Sequence, residues 1–495
     1  MNALDLAVIL AYLAACTALG AGIGARSSGV RDYFLGERNV PAWAVMISIV
    51  ATETSAVTFL SIPGKGFSGD LTFLQLAMGY ILARFVIAIF FLPLYFRGEV
   101  ETAYQVLQNR FGSATRRAAS VLFLVTRTLA SGLRLFLAAA VLVELFRRIQ
   151  GRSAAEGWEL PAAIAVIGFL TLIYTYLGGL KAVIWIDVVQ FAIYIGAGLV
   201  ALFVLGREVP GGWSSIVDQA QAAGKLRIFD FDNSLFKVQT FWAGVIGAMV
   251  LDTGSHGVEH LMVQRYLSAR SQGQAAAALI ASGFVVFAQF ALFLMIGVGI
   301  WALYQAFPPD SPPLKDQEFA SFIVRYLPHG ILGLVIAAIL SVTMSTVSGA
   351  LTATASSSVS DLYRPLFPDK DDRHLMRVSR VMTAFWGLAQ VGVALAAISL
   401  QGRVIDNALA IAGFVTGILL GLFLLGMVSK KAGQAAAFVG MACGLVAVAL
   451  VAFWAQVAYP WYALVGATTV VSVGLLVSMI AGQGRARPPV VEEVA

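Results

Sequence analysis

The sequence predicts an all-α polytopic membrane protein with about thirteen transmembrane helices, two of them discontinuous near their middles. Three observations carry that prediction. The 495 residues are 59% hydrophobic and 12% charged, whereas soluble globular domains are about 25% charged. Apolar windows of about 20 residues, the length that spans a bilayer, recur along almost the whole chain. Two of these windows carry polar runs at positions roughly five spans apart, Thr52-Glu53-Thr54-Ser55 and Asp252-Thr253-Gly254-Ser255-His256-Gly257. A charged side chain at the centre of a spanning helix costs about 2.5–3.5 kcal/mol on insertion scales, so such runs must face protein, water or an ion.

The first window, 4–24, lacks a basic leader and a small-residue cleavage site and is expected to be a retained helix. A short charged loop, 26–40, leads to the second, 41–62. Pro41 and Trp43 fit its start, the first as a first-turn proline and the second as an interfacial anchor. The run PGKGFSGD, rich in turn formers, is expected to end it. The third window, 71–96, holds Gln75 and Arg84. The fourth, 118–146, holds Arg127, expected to snorkel, and Arg134, deep enough to need a polar cavity or a carboxylate. Gly178-Gly179 separates windows 161–177 and 183–205, and Asp187 falls about one turn into the latter. That aspartate is either an interfacial cap or a cation site.

After a polar loop, 207–237, comes the second interrupted window, 241–262. Broken helices in matching positions of two halves are the arrangement of transporters built from inverted repeats, with solute and ion at mid-membrane. His256-Gly257-Val258-Glu259-His260 also matches the H-x-x-E-H zinc peptidase pattern. A membrane-embedded zinc hydrolase would need both histidines on one face of a continuous helix and a further ligand. The glycines and a total of four histidines argue against it, so no transition metal is expected.

Window 275–303 is apolar. In 331–359, Ser341, Ser345, Ser348 and Thr352 share one helical face. Small hydroxyl residues can serve helix packing; next to a broken helix with free carbonyls they can form an all-oxygen cage for a hard cation such as sodium. A charged connector, 363–380, precedes four Gly- and Ala-rich windows, 378–400, 405–428, 432–453 and 459–480, read as packing. Cys16 and Cys443 are too far apart for a disulfide framework. With the N-terminus outside, 19 Lys and Arg fall in cytoplasmic segments against 11 outside, which favours N-out, C-in. The net charge of +6 then reflects loops facing an anionic leaflet, and nucleic acid is not needed.

DYFLGERNVPAW, ATETSAVTFLSIPG, YTYLGGLKAVIWIDVVQ, MVQRYL and MSTVSGALTATASS resemble signatures of the sodium/solute symporter family, which includes bacterial sialic acid, sugar and proline carriers. The resemblance implies an inverted-repeat (5+5) fold divided as an extra helix and loop, 1–40; a first five-helix repeat, 41–206; an extracellular loop, 207–239; a second repeat, 240–428; two further helices, 429–482; and a cytoplasmic tail, 483–495. It implies a sodium site from the carbonyls of Ala51, Thr54 and Val342 and the hydroxyls of Ser345 and Thr346. A second sodium in some relatives would use Asp187, Ser345 and Ser348, but the next position is Gly349, which removes a ligand. The implied solute pocket comprises Glu53, Ser55, Thr58, Phe73, Gln75, Asp252 and Ser255, with Arg134 nearest to an arginine that binds carboxylate in the sialic acid carriers.

The expected function is sodium-coupled import of a small polar organic solute, a carboxylate or sugar acid held by Arg134. The alternative is a neutral sugar or polyol held by Glu53 and Asp252. A transporter-like nutrient sensor would need an output domain, and none is expected after Ile480. The partners expected are sodium, the solute and the lipid bilayer of a cell (inner) membrane, with a single chain carrying the site.

Overall fold

The computed structural model describes residues 3–24, 29–97, 100–152, 156–308, 318–327, 330–400 and 402–480. The tail expected at 483–495 lies outside the described residues. Among those described, the regular structure is helical, with one isolated parallel bridge between Val40 and Ala269.

In chain order the α-helices are α1 (Ala3–Gly24), α2 (Val30–Leu35), α3 (Ala42–Glu53), α4 (Ala56–Ser68), α5 (Leu74–Val86), α6 (Leu92–Arg97), α7 (Gln105–Phe111), α8 (Ser113–Ile149), α9 (Glu159–Glu208), α10 (Gly212–Ala222), α11 (Ala248–Gly257), α12 (His260–Leu267), α13 (Gln272–Ala306), α14 (Glu318–Tyr326), α15 (Ile331–Ser357), α16 (Asp372–Ala397), α17 (Gly402–Val428), α18 (Gln434–Leu450) and α19 (Tyr462–Ile480). A π-helical turn, Ile87–Phe91, joins α5 to α6, and another, Ala243–Gly247, precedes α11.

Nine of the described helical segments are long and apolar enough to cross a membrane by themselves. The expected thirteen are reached through the breaks. At 1.5 Å per residue the 50 residues of α9 would run about 75 Å, far more than the roughly 30 Å hydrocarbon core. Helix α9 turns at Gly179, where φ is +58°, and counts as two spans. The bent pair α3 and α4, the interrupted pair α11 and α12, and α17 supply the others.

Helix α15 is the centre of the molecule: 83% of its apolar window is buried, and it packs most extensively on α9. Its hydroxyls can sit there because most turn back on their own helix. Ser341, Thr343 and Thr354 donate to carbonyls four residues earlier at 2.7–2.8 Å, which satisfies them without water.

Three expectations change. The turn-rich run after Ile62 does not end its span, since α4 continues through Pro63 to Ser68. The second break is displaced: Asp252 to Gly257 are helical, and the chain departs from helix at Val258 (φ −129°, ψ −12°) and Glu259 (ψ 124°). Polar residues mark the approach to this break rather than the break itself. Loop 207–239 contains α10, whose Ile216 and Ala220 are buried.

Candidate functional site

The first break follows from where backbone hydrogen bonding stops. The Thr54 N–H still reaches Val50 O at 3.1 Å, but Thr54 (ψ 124°) and Ser55 (ψ 162°) are extended. Ser55 then caps α4, its Oγ accepting from Thr58 N at 3.2 Å. The last carbonyls of α3 are therefore without helical partners in the middle of the bent pair α3 and α4. One of them faces α15: Thr346 Oγ1 lies 3.2 Å from Thr54 O and 3.0 Å from Val342 O. Gln289 Nε2 fixes the turn by donating to Thr54 Oγ1 at 2.8 Å.

Of the five residues expected to hold sodium, Thr54, Val342 and Thr346 thus meet through their oxygens. Ala51 is fully buried in the last turn of α3. Ser345 instead turns its hydroxyl to Asp187, at 2.6 Å. The other Asp187 oxygen accepts from Ser48 at 2.5 Å and lies 3.6 Å from an Arg265 guanidinium nitrogen. Ser348 is not part of this group, because it donates to Ser345 O at 3.1 Å.

On the other side of the break Glu53 meets a cluster whose membership was not legible in the sequence. Arg84 donates to Glu53 Oε2 at 2.7 Å, to Asp252 Oδ2 at 3.1 Å and to Ser282 at 2.5 Å. His256 completes it, with Nδ1 2.7 Å from Asp252 and Nε2 3.4 Å from Glu53. Glu53, Asp252 and His256 have the separation of a metal triad, but the Arg84 cation is seated among them. The zinc-motif geometry does not form. His260 lies beyond the break on α12, where its ring meets Ala103 N at 3.4 Å and Ser356 Oγ at 3.2 Å.

Two cavities adjoin this cluster. One of about 410 Å³ is lined by Glu53, Ser55, Asp252, Ser255 and Arg134, together with His256. A second of about 440 Å³ includes Thr58, Phe73 and Lys65, and Glu53 and Tyr80 line both. Gln75 lines neither. Its amide donates to Thr72 O at 3.0 Å and accepts from Asp230 N at 3.1 Å, so it ties the 207–239 loop to α5. In that loop the Lys237 ammonium, 2.5 Å from Asp230, holds the Asp230 carboxyl below its usual range.

The arginines of the first cavity differ in their pairing. Arg127 does not snorkel. It is 8% exposed and pairs with Glu259 at 3.1 Å. Arg134, half-buried on the same face of α8, lines the cavity with no hydrogen bond or ion pair to any described residue. Glu259 lines the same cavity but is paired with Arg127, and a charged side chain inside a membrane protein is a binding feature by default.

The sodium:solute symporter family model matches residues 33–444. The chain belongs to the sodium:solute symporter family. Among its relatives, the sodium-coupled monocarboxylate transporter 1 of Homo sapiens is 31% identical, over 92% of this chain and 74% of that one. The sodium-dependent multivitamin transporter of Oryctolagus cuniculus is 29% identical over 93% and 79%. The sodium/iodide cotransporter of Homo sapiens is 28% identical over 90% and 69%. A substrate-bound, outward-open Na+-coupled sialic acid symporter superposes with a TM-score of 0.88 at 26% identity, covering 98% of this chain and 99% of that one. Mhp1, of the nucleobase-cation-symport-1 family, shares the fold, with a TM-score of 0.59 at 15% identity over 92% and 95%. This member of the family is thus a multi-pass, sodium-coupled membrane symporter and not an enzyme.

Proposed function

We propose that this symporter imports a small carboxylate, and that Arg134 binds the carboxylate in the cavity of about 410 Å³. The observation that carries the proposal is the unpaired guanidinium. Arg84 and Arg127 in the same region each have acidic partners, so Arg134 is the cavity cation left for an anionic solute. Its planar fork matches a carboxylate in two-point geometry. Ser55 and Ser255, which line the same space, supply hydroxyls to the rest of the molecule. The neutral sugar alternative needs Glu53 and Asp252 as free acceptors, and both are engaged by Arg84.

Sodium is assigned to the oxygens of Ala51, Thr54, Val342 and Thr346, with Ser345 adjacent through Asp187. Because Thr54 lies between Glu53 and Ser55, ion and solute would act on one break. The two five-helix repeats, 41–206 and 240–428, are assigned to either side of the 207–239 loop, with the N-terminus outside and the site complete in one chain.

Uptake into proteoliposomes under an inward sodium gradient tests the reading. A panel of monocarboxylates, sugar acids and neutral sugars should show saturable transport of one or more acids. Arg134→Gln removes a charge-assisted bond of about 1.5–3 kcal/mol, so KM for the acid should rise on the order of 10- to 100-fold. Arg134→Lys should fall between, keeping charge but not the fork. Saturable sugar uptake indifferent to Arg134→Gln would overturn the proposal.

A further inference from the structure

A cavity of about 300 Å³ lies at the Arg97 end of the span Leu74–Arg97 and shares no lining residue with the two cavities described above. Its shape starts from a proline. Pro93 has no N–H to give to Ile89 O, so the turn ahead of it widens: Leu92 N–H bonds to Ile87 O, five residues back, and Ile87–Phe91 is π-helical. On that turn Ile89 and Phe90 are 62% and 53% exposed. Apolar side chains exposed on a helix of membrane length face acyl chains, so this side of the cavity is open to lipid. Phe423 and Met427 of α17 line the other side.

Two arginines line the same apolar space, and none of the described residues lining it is acidic. Arg97, exposed in the last turn of α6, has no hydrogen bond or ion pair to any described residue. Arg110, on α7, is 8% exposed. One of its terminal nitrogens donates to Ser429 O just past α17, and its buried Nε has no acceptor. Its stem can lie against α17 because residue 426 is glycine: a Cβ there would meet Arg110 Cγ at 3.3 Å. A guanidinium cannot shed its charge, and a buried donor left unmatched is unfavourable, so two positive charges stand beside an apolar wall that faces lipid.

We infer that this cavity binds an anionic phospholipid, with the phosphate on Arg97 and Arg110 and the start of the acyl chains against Phe90, Leu94 and Met427. Phosphate suits the planar fork of a guanidinium, and a zwitterionic head group would bring a further positive charge to a site that already holds two. With the N-terminus outside, as assigned above, the cavity opens to the cytoplasmic leaflet, whose anionic lipids favour basic pockets between membrane helices. The occupant ties α6 to α7 and, through Ser429, to the end of α17. Val415, Thr416 and Leu419 of that helix line the cavity of about 410 Å³, so the lipid braces a wall of that cavity from the membrane side.

The test needs neither sodium nor the transported solute. The full chain, purified and delipidated in detergent, is titrated with phosphatidylglycerol, with phosphatidylcholine of the same acyl chains, and with inorganic phosphate, and binding is read from the rise in unfolding midpoint that a ligand of the folded state produces. Phosphatidylglycerol should raise the midpoint saturably, phosphatidylcholine much less and inorganic phosphate not at all. Arg97→Gln and Arg110→Gln should each weaken phosphatidylglycerol about 5-fold. Arg373→Gln, which removes an exposed cation from the start of α16, should leave the response intact. If loss of the Ser429 tie prevents Arg110→Gln from folding, Arg97→Gln, which has no described partner to lose, still decides the matter. An equal rise with phosphatidylcholine, a matching rise with inorganic phosphate, or an undiminished phosphatidylglycerol response in Arg97→Gln would overturn the inference. So would a loss in Arg373→Gln as large as that in Arg97→Gln, which would mark the effect as general surface charge.

Discussion

Arg84 decides the electrostatics of the centre, because two carboxylates from different helices converge on it. Removing a partner from a buried ion pair costs about 3–5 kcal/mol, since the remaining charge is left uncompensated. Arg84→Met, which leaves both Glu53 and Asp252 without it, should destabilise the solubilised protein by that order and lower its unfolding midpoint. Glu53→Gln should cost less, because Arg84 keeps Asp252 and Ser282. Adding Glu53→Gln and Asp252→Asn to Arg84→Met should recover part of the loss. A midpoint unmoved by Arg84→Met would show that the cluster is solvated. The need for a partner to Glu53 is visible in the sequence, because hydrocarbon does not tolerate the charge; the partner's identity is not, because Arg84 is 31 residues away and Asp252 lies 168 from Arg84. Gln75 fails for the same reason. Its polarity inside an apolar window is equally consistent with solute or with the loop it holds.

At the scale of elements, the breaks are where backbone chemistry replaces side-chain chemistry. Gly179 shows what such a position demands. With φ at +58°, a Cβ there would also lie 2.4 Å from Tyr33 O, a backbone atom that cannot yield without moving α2. Gly179→Ala combines strain of about 1–3 kcal/mol with that collision, so it should lower the unfolding midpoint, whereas Gly196→Ala, with nothing nearby in the same helix, should not. Equal midpoints for the two would refute the argument. Periodicity and length made the spans legible, and Gly178-Gly179 marked its break in the right place. The second break lies beyond the polar run that suggests it, because hydrogen-bonding side chains do not by themselves break a helix. In a membrane helix Asp252, Thr253 and Ser255 remain helical when their polar atoms find partners inside the protein, as Asp252 does in Arg84 and Thr253 in Met249 O at 2.8 Å.

For the whole molecule, the assigned sites make coupling a question of one shared turn. Thr346 connects α15 to Thr54, and Glu53 and Ser55 on either side line the cavity of about 410 Å³. On the proposed assignment, an ion that draws the carbonyl of Thr54 toward α15 would order the turn that presents Ser55, so that each ligand would favour the form the other needs. Such coupling free energies are about 1–3 kcal/mol, equivalent to 5- to 150-fold in affinity, and act equally in both directions. A ligand that binds only the folded state stabilises it by about 2.7 kcal/mol at 100 times its dissociation constant. Thermal unfolding in saturating sodium should therefore rise for wild type and for Arg134→Gln, whose sodium oxygens are untouched, and should not rise for Thr346→Ala. A transported acid should add a further rise for wild type only when sodium is present. If Arg134→Gln lost the sodium response, or if the acid stabilised the protein equally with and without sodium, the two ligands would not meet at the 53–55 turn, and coupling would have to run through another part of the bundle.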